Sequence, residues 1–152
     1  MAKEIWIIGV EPPCPRCDLT RQRVERAARE TTVPVTIKNL AYTDFRSSEF
    51  ARSIGREIGT AKHVADKAGI EMDWNHVIAV VKDPPSKPED YDRIDEGPAK
   101  NWSAEMDEAL RPCEEIADTV KMLMTPVLVI DEKVLHHGSV PSVSQIQSWL
   151  KH

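Results

Sequence analysis

An α/β fold, strands and helices built around one central sheet, is what this chain predicts, on three observations. A β-branched apolar run, Ile5-Trp6-Ile7-Ile8-Gly9-Val10, leads through a helical stretch into a second such run, Val33 to Leu40, which makes a βαβ unit. Near the C-terminus two short apolar runs face each other across Asp131-Glu132 and lead into a capped helix. Between the first strand and the first helix stands a C-x-x-C, Cys14-Pro15-Arg16-Cys17.

The run before the cysteines lacks polar alternation, the pattern of a strand covered on both faces. Residues 18–30 contain no Gly or Pro and are rich in strong helix formers. Pro15 suits the first helical position, where no N–H is needed and φ is already helical, so Cys14 falls at the N-cap. Val33-Pro34-Val35-Thr36-Ile37-Lys38-Asn39-Leu40 alternates in part and reads as the second strand. Apolar side chains at Phe50, Ile54, Ile58, Ala61, Ala65 and Ala68 predict one amphipathic helix over 48–68, stopped by Gly69. The short apolar run 76–81 reads as a further strand, and 83–98, rich in proline and acid, as a long exposed loop. Helical spacing resumes near Ser103, and Pro112 is expected to divide it, leaving 113–120 as a separate helix. Residues 126–130 and 133–137 form a hairpin, and Ser142-x-x-Gln145 is a capping box for a last helix with Val143, Ile146, Trp149 and Leu150 inward.

At 152 residues the chain has the length of one domain, and 41% hydrophobic with 30% charged residues excludes a disordered or fibrous class. Aromatics at 5% leave the core to aliphatic side chains. The run at 5–10 is short for a signal peptide and no stretch has the length of a membrane span, so the expected location is the cytoplasm, with no membrane partner. In that compartment three cysteines do not make a disulfide scaffold, and a paired C-x-x-C points to catalysis or metal binding. A net charge of −5 carries no nucleic-acid footprint. The charge is unevenly spread: residues 16–29 hold five Arg against two acids, and 83–115 hold eleven acids against four Lys or Arg. Both stretches read as solvated faces; the arginines would otherwise favour an acidic partner surface.

The chemistry follows from the placement of the thiols. Unpaired N–H groups and the positive end of the helix dipole favour a thiolate at Cys14, and Arg16 adds a nearby positive charge. Cys17 lies three residues on, within reach of a mixed disulfide formed at Cys14. The competing metal reading needs two more ligands; Cys113, His136 and His137 are the obvious candidates, and their spacing matches no common zinc pattern. Cys113 is either a small buried apolar residue or a third redox thiol. The two histidines and the four tryptophans are read as structural.

Strand, C-x-x-C helix, strand, helix, Thr-Pro, hairpin and helix together resemble the thioredoxin-like superfamily, nearest the small glutaredoxin-like redox-active disulfide proteins. The matching stretches are Ile5 to Leu40 and Met124-Thr125-Pro126 on to Ser142. The resemblance implies a central mixed sheet, a cis-proline at Pro126 facing the dithiol, and support of the site by Pro15, Arg16, Thr125 and Pro126. It also implies that the backbone of Thr125 is left free to pair with a substrate chain. Pro13 rather than Trp stands before Cys14, and Pro15-Arg16 lies between the cysteines, which is closer to the glutaredoxin style. Residues 45–111 have no counterpart in the small family members and read as an insertion of about 65 residues within a single domain, 1–152.

The leading function is therefore a thiol–disulfide oxidoreductase with Cys14 as nucleophile and Cys17 as resolving thiol, acting on a protein disulfide with an unidentified reductant and no cofactor. The alternatives are a metal or cluster carrier through Cys14 and Cys17, and a redox relay or sensor bound to a dedicated partner by the insertion. On the last reading, removal of residues 45–110 takes away partner selection and leaves exchange with a small dithiol intact.

Overall fold

A computed structural model describes residues 2–151. Strand β1 (Lys3–Gly9), helix α1 (Pro15–Arg29) and strand β2 (Val35–Ala41) form the βαβ unit, with β1 and β2 parallel and Gly9 opposite Ala41. Strands β5 (Val127–Ile130) and β6 (Lys133–His137) form the hairpin. Strand β5 runs antiparallel to β1, giving a mixed sheet in the order β2-β1-β5-β6. The hairpin turns at Asp131 and Glu132, both at positive φ.

Successive β1 side chains enter opposite cores, as a strand covered on both faces requires. Ile5 and Ile7 pack with Val24 and Ala27 of α1 and with Ile146 and Leu150 of helix α6 (Val143–Leu150). Ile8 joins Leu40, Leu123, Val127 and Val129 on the other face, where Trp6 meets Phe50 edge-on at 6.1 Å. Ser142 and Gln145 close the capping box that starts α6.

Between β2 and the hairpin the structure departs from the expectations at three points. The single helix expected over 48–68 is instead helix α2 (Phe45–Ser53), strand β3 (Glu57–Gly59) and helix α3 (Ala61–Ala68). Gly55, at φ +72°, turns the chain out of α2, and Thr60 caps α3 through the His63 N–H, so the helical spacing spans a break that glycine makes possible. The strand expected at 76–81 is helix α4 (Trp74–Lys82), started by the Asp73 side chain accepting from the His76 N–H. Its β-branched composition misleads because a short apolar run fits either period. Pro112 does not divide a helix: α5 (Ala104–Ala117) runs through it, held by the continuous buried face of Met106, Leu110, Cys113 and Ala117.

Strand β4 (Met122–Met124) pairs in parallel with β3 as a separate two-stranded sheet that no residue pattern announced. The stretch 83–98 is mostly irregular, with a 3-10 turn at Tyr91–Arg93 and a second at Pro98–Asn101 just beyond it. Most of it is exposed, as expected of a loop, but it is pinned down at Ile94, which is 4% accessible, and just past its end at Ala99, which is fully buried. Residues 45–111 share one core with the rest of the chain. Val64, Ala65, Val80, Ile94, Trp102, Met106 and Leu110 close over Leu19 of α1 and Met124 of β4, so their removal would open the frame as well. Among the described residues no helix is long and apolar enough to cross a membrane.

The uneven charge resolves inside the molecule. Asp90 takes a bidentate contact from Arg23, at 3.1 and 2.8 Å, and a third bond from Arg26 at 2.9 Å. Burial pushes the Asp90 carboxyl up, and the two guanidiniums outweigh it and hold it below its ordinary value. Arg23 also stacks 5.3 Å above Trp102 and donates to the Pro141 carbonyl. Asp18 accepts the Ala99 N–H at 3.0 Å, so the acid-rich stretch and the arginine-rich helix are one another's partners.

A second buried pair joins α1 to α5, where Arg16 Nε donates to Asp107 Oδ1 at 2.9 Å; Asp107→Ala leaves that guanidinium buried without its carboxylate and is expected to lower the unfolding free energy by about 3 kcal/mol. In urea this appears as a lower midpoint at unchanged slope. Burial holds His136 and His137 below their ordinary 6.5, so the unfolded chain binds these protons first. The stability they contribute is complete above pH 6.5 and declines as pH falls toward the folded values, which a denaturation series over that range would read.

Candidate active site: the Cys14–Cys17 dithiol

Chain geometry puts the two thiols at the C-terminal end of β1 and the first turn of α1. Cys14 is the N-cap, extended at φ −77° and ψ 172°, and its carbonyl accepts the Asp18 N–H at 2.9 Å. Its side chain makes no capping bond of its own. Pro15 holds the next position. Cys17, one turn on, is buried while Cys14 is half-exposed, and the sulfurs stand 3.5 Å apart with both thiols free. The depth of Cys17 depends on Gly9: a Cβ there would lie 2.8 Å from the Cys17 sulfur, so any larger residue at the end of β1 would displace the thiol.

This arrangement splits the two acidities. The Cys17 thiol donates to the Cys14 sulfur and the Cys17 and Arg16 N–H groups add to it, with help from the Arg16 charge; burial opposes them, and the Cys14 pKa falls from 9.0 to about 6. Cys17 is driven up by the same hydrogen bond, by burial and by the thiolate beside it. At neutral pH the outer sulfur is therefore largely anionic and the inner one carries the proton.

Arg16, expected beside the site, is 3% accessible and turned inward. Its Nε donates to Asp107 Oδ1 at 2.9 Å, and its Nη2 donates to the Gly138 carbonyl. The other Asp107 oxygen accepts the Val140 N–H at 3.0 Å. Gly138 in turn donates its N–H to the Pro126 carbonyl at 3.1 Å. A buried relay thus joins the C-x-x-C turn to α5, to the β6–α6 connection and to Pro126. Arg16 acts on Cys14 through its charge and this anchorage; it has no surface to offer a substrate.

The Thr125–Pro126 peptide is cis, and both residues are buried. The N–H of Thr125 is not free for a substrate chain: it donates to the Gly59 carbonyl at 2.9 Å. Strand β3 has extended its ladder past β4 onto this residue. Next to it, the Met124 N–H donates to His137 Nδ1 at 3.1 Å, so His137 braces the backbone before Pro126, while His136 Nε2 lies 2.8 Å from the Ser139 hydroxyl in the β6–α6 connection.

Cys113 is fully buried in the core with Leu19 and Met124, and burial raises its thiol. The only thiol–thiol hydrogen bond among the described residues joins Cys14 and Cys17. No group of three or more His, Cys, Asp or Glu among those residues is arranged to hold a metal ion. Asp107 went unmarked in the sequence; it is one of eleven acids in its stretch, and nothing local separates it from the others. Gly9, the last residue of β1 and next to the motif, carried a usable signal, since a strand-end glycine marks a close approach.

A β2-β1-β5-β6 mixed sheet with helices on both faces, a dithiol starting the first helix and a cis-proline before the antiparallel hairpin define a thioredoxin-like fold. The family model described as Thioredoxin domain matches residues 96–151, which span α5, β4, the cis-proline, the hairpin and α6 and leave out the two cysteines. A search of curated proteins and a search of solved structures returned no match.

Iodoacetamide alkylation of Cys14 is expected to titrate near pH 6 in the wild type, and to move well up toward 9 in Cys17→Ala, which removes the hydrogen bond to the thiolate. An unchanged midpoint in that variant would contradict the assignment of the cause.

Proposed function

We propose that the protein is a thiol–disulfide oxidoreductase that exchanges electrons with a disulfide in a protein partner. The observation that carries the reading is the asymmetric dithiol: a half-exposed Cys14 with its pKa lowered to about 6, receiving a hydrogen bond from a buried Cys17 3.5 Å away. An attacking thiol works best with its pKa near ambient pH, because it is then ionised without losing nucleophilicity.

In the proposed reaction the Cys14 thiolate attacks one sulfur of the partner disulfide. A Cys14–partner bond forms, the partner's S–S bond breaks, and the second partner sulfur leaves as a thiolate that takes up a proton. The mixed disulfide removes the negative charge beside Cys17, and with it the hydrogen bond and the repulsion that hold the Cys17 proton. Cys17 then loses that proton and attacks the Cys14 sulfur, which forms the Cys14–Cys17 disulfide and releases the partner's first sulfur as a thiol. Two electrons have passed to the partner, and an external dithiol reductant restores the pair. Run in reverse, the same steps oxidise a partner dithiol.

Cys17→Ser is expected to accumulate a mixed disulfide at Cys14, visible by mass spectrometry of protein captured from cells, while Cys14→Ser captures nothing and exchanges no disulfide. Equal activity of Cys14→Ser and wild type toward any disulfide would end this reading.

A further inference from the structure

The ladder that engages Thr125 leaves another edge open. In the parallel β3–β4 pair the Glu57 N–H donates to the Lys121 carbonyl at 3.1 Å, and the Gly59 carbonyl accepts from Thr125 at 2.9 Å. Residues on either side of Ile58 thus bond to β4, so the N–H and C=O of Ile58 itself point the other way. Neither has a partner among the described residues, and no strand lies beyond β3.

Two grooves run along this edge, of about 470 and 370 Å³, and both are lined by Tyr42, Glu57 and Ile58. One is walled by α3 with His63 and Lys67, the other by α2 with Arg52 and Arg56. At the shared end, the Tyr42 ring leans on His63 at 5.7 Å, and the Tyr42 N–H is bonded to the Gly9 carbonyl at 2.8 Å. Gly9 is the residue packed against Cys17. This end of the grooves is thus joined by one backbone bond to the strand end beside Cys17, and Gly59, next to Ile58, bonds to Thr125 before the cis-proline.

We propose that the edge of β3 is where an extended segment of the disulfide-bearing partner docks, adding a strand through the N–H and C=O of Ile58; this rests on the oxidoreductase reading above. An added strand sends alternate side chains into the two grooves. On the α2 side the wall presents Arg52 and Arg56, whose own carboxylate neighbours, Glu49 and Asp118, lie outside the groove lining. Glu57, the carboxylate in that lining, pairs with Lys67. That side selects an acidic residue. On the α3 side the lining also carries Glu57, His63, Asp66 and Lys67, and Tyr42, Ile58 and Met122 form its apolar part, against which an apolar side chain packs. The favoured segment has an acidic and an apolar side chain at adjacent positions beside its cysteine.

The probe is a short linear peptide with Glu and Leu adjacent near one cysteine held as a mixed disulfide with mercaptoethanol, compared with mercaptoethanol disulfide alone. Ile58→Pro removes the outward N–H and keeps the bonds to β4, as an edge strand tolerates. Ile58→Ala keeps the N–H and serves as its reference. The ratio of kcat/KM for peptide over small disulfide is expected to be roughly tenfold lower in Ile58→Pro than in Ile58→Ala. Changing the peptide's Glu to Lys should lower its kcat/KM on wild-type protein. Equal ratios in the Pro and Ala variants would overturn the docking site and leave the oxidoreductase reading standing; no exchange with either disulfide would remove both. If Ile58→Pro fails to fold, amide hydrogen exchange of Cys17→Ser bound to the peptide decides: slowed exchange at Ile58 supports the site and unchanged exchange overturns it. An Ile58 amide already protected in peptide-free protein that sediments as a dimer would assign the edge to a second copy of this chain and likewise overturn the proposal.

Discussion

The buried pair of Arg16 and Asp107 is the constraint on which the rest of the site depends. A guanidinium placed between the two cysteines cannot be withdrawn from water without a carboxylate to meet it, and the carboxylate comes from a helix 91 positions away. Once that pair forms, its remaining valences fix one more segment at two points, the Gly138 carbonyl and the Val140 N–H. The β6–α6 connection, the cis-proline and the C-x-x-C turn are then held by one set of bonds. The electrostatic effect on Cys14 is a by-product of this anchorage, smaller than the hydrogen bond from Cys17.

Much of the frame was legible in the sequence because its signals are local. Pro15 before a Gly-free run, the Asp131-Glu132 turn and the Ser142–Gln145 box each determine their own element within a few residues. The middle of the chain was not, since its elements are decided by pairings far along the sequence. Residues 57–59 are extended because Lys121 and Leu123 are there to bond with them, and nothing in Glu57-Ile58-Gly59 announces that. Residues 74–82 are helical because Val77, Val80 and Val81 pack on the same core as α5, against the strand preference of valine. The same division holds at the site. The two thiols and the proline were readable as a motif, whereas Asp107 and the engagement of Thr125 by Gly59 follow only from tertiary contact.

The charge pattern follows the same logic. An arginine-rich helix and an acid-rich stretch, read separately, look like two solvated faces. Together they form one seam, in which Asp90 serves two guanidiniums and Asp18 holds the backbone of Ala99. This seam brings the irregular stretch onto α1 and buries Ile94 and Ala99, so a segment of poor intrinsic structure becomes part of the wall beneath the helix that carries the dithiol.

The core shared by Leu19, Trp102, Cys113 and Met124 has a consequence for anyone seeking to recombine this protein. Because α1 and β4 are finished from inside by the central stretch, the chain has no seam along which the frame that carries the dithiol and the central stretch can be exchanged as cassettes. A graft of residues 45–111 onto another scaffold would have to bring a matching Leu19 and Met124, and a scaffold stripped of them would need its inner wall rebuilt. Drift in the central stretch is coupled in the same way to the helix beneath the thiols, so the two must vary together.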